Sequence, residues 1–143
     1  MRVRVKRVYE PPARDDGKRI LVDRLWPRGL SKQSAGIQEW LRDLAPSNEL
    51  RKWYHAQPEQ WDAFRKRYLK ELSAEPARAA LTKLYELANG GKITLLFASR
   101  NEERNNATVL RDLLAGARKP PTGTGPAAAG AMRVRRAARA PRR

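Results

Sequence analysis

The chain has 143 residues, about one domain, with 31 Lys and Arg against 15 Asp and Glu and a formal charge of +16. Having no cysteine excludes disulfides, thiolate catalysis and Cys-ligated metal, and a single histidine, His55, excludes a multi-histidine metal site. No metal and no cofactor is therefore read into the chain. Its charge instead favours polyanionic partners, either phosphorylated small molecules or nucleic acid.

From Arg2 to Lys6 basic residues alternate with Val3 and Val5, the period of a half-buried strand whose charged face suits a sheet edge. The loop that follows, with two prolines and Asp16-Gly17, fits a hairpin or a crossover equally, so the direction of the first strand stays open. Ile20–Leu25 is apolar enough on both faces for an interior strand, stopped by Pro27 and Gly29. Ile37, Trp40, Leu41 and Leu44 have helical spacing up to Pro46, and Ser47 is a good N-cap for a short helix carrying Leu50, Trp53 and Tyr54.

Pro58 suits the first position of the next helix, which buries Trp61, Phe64, Tyr68 and Leu72 and turns Arg65, Lys66, Arg67 and Lys70 outward. Pro76 opens another helix with the stripe Ala77, Ala80, Leu81, Leu84 and Leu87, and Gly90-Gly91 supplies a left-handed stop. Lys92–Ala98 is a second interior strand. Beyond it Ser99 and Glu102 fit a capping box, Asn101 is a competing cap, and Ala107, Leu110, Leu113 and Leu114 form the last buried stripe. From Pro120 onward six arginines and no acid stand among Gly, Pro and Ala, which reads as a disordered basic tail and leaves +10 for the residues before it.

Buried strands linked by helices imply an α/β fold: a small, mostly parallel sheet flanked by helices as a three-layer sandwich, formed by residues 1–119. No apolar run approaches the ~18 residues of a membrane span. Cytoplasm is the expected compartment, with no membrane partner, and nothing in the sequence fixes an oligomeric state.

Ligands of open α/β sheets sit outside the carboxyl ends of the strands. If the two interior strands are parallel neighbours, Arg24, Arg28 and Arg100 gather there as an anion-binding set, and Gly29 lets backbone approach closely. Tyr9, Asp23, Trp26, Lys52, Ser99 and Asn105 support the cleft, and a helix starting near Asn101 turns its N–H groups toward it. The expected function is binding of phosphate or a nucleotide, with action on phosphorylated or nucleic-acid substrates; the alternative is non-catalytic nucleic-acid binding through basic helices and tail.

Each part also has a structural reading. Asp23 and Arg24 can form an ion pair, Trp26 belongs with Trp40, Trp53 and Trp61 in a core, Ser99 and His55 serve as caps, and the α-helical cations are a solvated face. An aspartate beside arginines, as Asp23 is, is expected to have a depressed pKa and to be a poor base. No catalytic residue is assigned.

The strings KRVYEPP, DGKRILVDRLWPRGLSK, WLRDLAPSNELRKWY, PEQWDAFRKRYLKEL and ITLLFASRNEERNNATVL resemble, in order, the YeaO-like branch of domain-of-unknown-function family 488. The resemblance covers roughly residues 4–115 and implies a compact, bacterial, cytoplasmic α/β domain, with no reaction attached. The polar residues that it carries over are Tyr9, Asp23, Arg24, Arg28, Gly29, Lys52, Arg100 and Asn105. Ala56-Gln57-Pro58 departs from a His-Asp-Pro string common in relatives, and Asn101 stands where they often have aspartate. A Cys-His-Arg string of other branches has no counterpart, so thiol chemistry does not transfer.

Overall fold

The computed structural model describes residues 2–116. The basic tail read from Pro120 lies outside the described residues. Four strands, β1 (Val3–Arg7), β2 (Lys18–Leu21), β3 (Glu39–Trp40) and β4 (Ile93–Phe97), form one sheet in the order β1-β4-β2-β3, all parallel. Five α-helices accompany them: α1 (Lys32–Ala35), α2 (Asn48–Ala56), α3 (Trp61–Leu72), α4 (Ala77–Asn89) and α5 (Asn106–Gly116). The fold is the expected α/β class, and no helix among the described residues is long and apolar enough to cross a membrane.

The two faces of the sheet are covered unequally. On one, Ile20, Val22, Ile93, Leu95 and Phe97 pack with Val3 and Val5 against the apolar stripes of α2, α3, α4 and α5. On the other, a smaller cluster joins Val8, Leu21 and Leu96 to Ala35, Ile37, Trp26 and Trp40, covered by the single turn of α1 and by loops. β4 is buried at all five positions, as its unbroken apolar run requires. β1 lies at the edge, with its valines on the helix-covered face.

Arg4 and Lys6 face the other way, onto the β1–β2 connection. That connection crosses over β4 without an α-helix and carries a 3-10 turn, Arg14–Asp16, so β1 and β2 run parallel rather than as a hairpin. Asp16 is only 1% exposed and gathers three cations: Arg19 at 2.7 Å, Arg4 at 3.0 Å and Lys6 at 3.1 Å. The Ala13 N–H also donates to it at 2.9 Å, while its carbonyl accepts from the Thr94 hydroxyl of β4 at 2.7 Å. Burial alone would raise the Asp16 pKa. The Ala13, Arg19 and Lys6 hydrogen bonds outweigh it and hold the carboxyl at about 2.

Several local expectations need correction. Ile37–Leu44 is not a helix: Leu41 N–H donates to Leu21 C=O and Gln38 N–H to Arg19 C=O, forming β3, and Arg42–Leu44 is a 3-10 turn. The free edge of β2 offered a ladder that helical spacing could not reveal. β2 ends at Leu21 rather than Leu25, because Asp23 turns its side chain onto β4. Pro58 lies in the turn before α3, which starts at Trp61. Gly90 stays right-handed, and the reversal falls on Gly91 at φ +150°. The last helix starts at Asn106, where Asn105 and Thr108 cap each other reciprocally at 3.0 and 3.2 Å. Asn101 instead accepts from the Glu103 and Arg104 N–H groups in the preceding loop.

Candidate functional site

β2 and β4 are neighbours, yet the chain leaves them in opposite directions: from β2 through α1 to β3, and from β4 into α5, which packs on β1 and β4. Between diverging loops of this kind a parallel sheet leaves a crevice. Here it is a cavity of about 660 Å³, within the ordinary range for small-molecule sites. Its floor and walls come from the segment after β2 (Asp23 to Arg28), the segment after β4 (Ala98 to Asn106), Tyr9 after β1, and Arg51, Tyr54 and His55 of α2.

The cavity brings together Arg24, Arg28 and Arg100 with Tyr9, Asp23, Trp26, Ser99 and Asn105. Two predicted members are elsewhere. Lys52 is exposed on α2 and does not line the cavity, since a residue one position from Arg51 lies about 100° around the helix. Gly29 is also outside; its φ of +77° serves the turn, and a Cβ there would meet no protein atom within 4 Å.

Asp23 is not an ion-pair partner of Arg24. The Arg24 guanidinium donates to the carbonyls of Ala45 (3.1 Å) and Pro46 (3.4 Å), tying the β3–α2 connection to the rim. Asp23 Oδ2 accepts from the Ala98 N–H at 2.9 Å and Oδ1 from the Asn106 amide at 3.1 Å, with Asn106 donating also to Val22 C=O. Burial raises its pKa above the ordinary carboxylate value, against the lowering effects of these two donors and of Arg51. The expected depression is therefore overturned: desolvation wins once Arg24 points away.

Trp26 is chiefly structural. Its indole N–H donates to Leu30 C=O at 2.7 Å and its ring meets Trp40 edge-on at 5.3 Å, although one edge reaches the cavity. Trp40 in turn donates to Asp23 C=O at 2.8 Å. The Ala98–Ser99 backbone is fixed by Arg7, which donates to both carbonyls at 2.9 and 3.1 Å.

The sequence pointed to Lys52 on α2, whereas Arg51, Tyr54 and His55 are the residues of that helix that line the cavity. Arg51, Tyr54 and His55 stand at i, i+3 and i+4 and so share one helix face, a signal present in the sequence. The Arg51 Nε is buried and is the one buried side-chain polar atom among the described residues without a hydrogen-bond partner. Tyr54 stacks on Phe64 at 4.3 Å, and its hydroxyl donates to Arg104 C=O at 3.3 Å. The start of α2 is held by Glu71 of α3, which accepts from the Ser47 N–H at 2.8 Å and the Ser47 hydroxyl at 2.6 Å. Among the described residues, Arg28, Arg51, Arg100 and Arg104 have no carboxylate within ion-pair distance, and Asp23 is the sole carboxylate lining the cavity.

These features define a parallel α/β domain whose strand ends open into an arginine-rich cavity. The chain belongs to the family described as the inactive DUF488-N3 subclade, whose model matches residues 2–129. It is 48% identical over 115 residues to uncharacterised proteins of Mycobacterium tuberculosis (strain H37Rv) and Mycobacterium bovis, covering 80% of this chain and 95% of each relative. It is 41% identical over 114 residues to the uncharacterised protein YeaO of Escherichia coli (strain K12), covering 80% of this chain and 97% of that protein. No solved structure matches the chain.

Proposed function

We propose that this protein is a binding domain for a small phosphate-bearing organic anion, such as a nucleotide, held over the C-terminal ends of β2 and β4. The observation that carries the reading is the convergence of Arg28, Arg51, Arg100 and Arg104, none with a carboxylate partner among the described residues, on one cavity. Unpaired guanidinium groups beside apolar walls of Tyr54, Phe64 and Pro46 suit a ligand with a planar body and an anionic head. Arg24 contributes chiefly by fixing the wall. The description of the family as inactive, together with a cavity that offers one histidine and no thiol, favours binding over turnover.

The test is isothermal titration of phosphate, AMP and ADP into the protein and into an Arg28→Ala/Arg100→Ala variant. Affinity for the nucleotides is expected to fall by about tenfold or more, some 1.4 kcal/mol. Equal binding by the two proteins would remove the reading.

A second reading rests on the outer face of α3, where Arg65, Lys66, Arg67 and Lys70 are all exposed. It supports sequence-tolerant nucleic-acid binding, with Arg67 preorganised over the Trp53 ring at 4.1 Å. Neutralising Arg65, Lys66 and Lys70 should then reduce the salt slope of oligonucleotide binding and leave nucleotide binding untouched; an unchanged slope would dismiss it.

A further inference from the structure

Resting on the proposed anion-binding reading, we infer that Asp23 and Arg51 together select the head group of the ligand: an anion that keeps an O–H, such as a phosphomonoester, over an aprotic one such as a sulfonate. The two side chains line the same cavity, from the end of β2 and from α2, but form no ion pair with each other. The charge of Arg51 nevertheless reaches Asp23. A guanidinium and a carboxylate that face one cavity without touching leave room for a group that accepts from the first and donates to the second.

Each partner has the capacity for this. Arg51 lines the cavity and makes no side-chain hydrogen bond among the described residues; its Nε is buried without a partner, and its terminal N–H groups are the donors left for a ligand oxygen. An ionised carboxylate has about four acceptor sites, and Asp23 spends one on each oxygen, on the Ala98 N–H and the Asn106 amide. While Asp23 is ionised, the unused sites can accept but cannot donate. They therefore repel an oxygen without hydrogen and welcome a P–OH. The same two protein donors lock the Asp23 side chain against the end of β4, so it cannot turn aside to admit an aprotic anion. Arg28, Arg100 and Arg104 are exposed and adaptable, and attract any anion; discrimination falls to the pair further in.

The experiment compares phenyl phosphate with benzenesulfonate, two ligands with one ring and a tetrahedral anionic head, by isothermal titration with the full chain at pH 6. At that pH about half of the phosphomonoester retains its proton. Phenyl phosphate is expected to bind at least about tenfold more tightly. In Asp23→Asn the carboxamide oxygen can still accept from the Ala98 N–H, and the ratio should shrink to within about twofold as sulfonate gains. Arg51→Gln should weaken both ligands together.

Equal affinity of the native protein for both ligands overturns this inference alone and leaves the anion-binding reading standing. So does a preference that survives in Asp23→Asn. Binding of neither ligand overturns both. The comparison of ligands on the native protein needs no variant, so the inference stays open to refutation even if Asp23→Asn fails to fold.

Discussion

Two clusters of cations lie on this small sheet and have opposite fates. Under the β1–β2 crossover, Arg4, Lys6 and Arg19 each meet a carboxylate of Asp15 or Asp16, and the group closes over a buried centre. At the C-terminal rim, Arg28, Arg51, Arg100 and Arg104 meet none among the described residues and surround an opening. A charge that is paired and desolvated serves the fold, whereas an accessible charge without a partner is available for something else. A net charge of +16 by itself could not separate these roles.

The difference can be broken from either side. Asp16→Asn should cost about 3–5 kcal/mol in urea unfolding, since it strands the buried Arg19 guanidinium. Gly17→Ala beside it should cost about 3 kcal/mol, because a Cβ there would sit 2.1 Å from the Lys92 carbonyl oxygen at a φ of +66°. Gly29→Ala at the rim has the same sign of φ but open space, so thermal melts should show a loss of only about 1 kcal/mol.

Acid titration sharpens the contrast further. A folded-state Asp16 pKa of about 2, below the unfolded value, contributes stability that is present above pH ~4 and is lost as pH falls toward 2, in all about 2 kcal/mol. Asp23 works in the opposite sense: its raised pKa means that its contribution weakens as pH rises from the unfolded value through the folded one. The smallest effect on stability belongs to Arg28→Gln/Arg100→Gln, expected within about 0.5 kcal/mol of the native protein in the same unfolding assay. That variant should lose ligand affinity and keep its fold, the reverse of what Gly17→Ala would do.

The parts of the fold legible in the sequence were those where one physical demand dominates. Lys92–Ala98 could only be an interior strand, Val3 and Val5 had to face a core, and Ser47 announced the start of α2. Glu39–Trp40 was illegible because two residues become a strand only when a neighbour's edge is open to them. The lining of the candidate cavity was half legible. Arginines just past an apolar run mark a strand end, so Arg24, Arg28 and Arg100 could be placed on one rim. Their separate bonding partners could not. Arg24 and Arg28 look alike in sequence, yet one holds two carbonyls and the other reaches solvent. Arg51 was hidden among many helical cations, and its significance depends on how α2 is rotated, which Glu71 of a different helix helps to set.

Both backbone groups of Ala98 are gripped: its N–H by Asp23 beyond β2, its carbonyl by Arg7 at the end of β1. Three strand ends of the sheet are thereby tied at a single residue, and the ground beneath the proposed anion is set before it arrives. Docking then demands little beyond stilling a few long side chains, at about 0.5–1.5 kcal/mol apiece. The proposed anion should then leave by letting those arms swing, with the strands themselves unmoved.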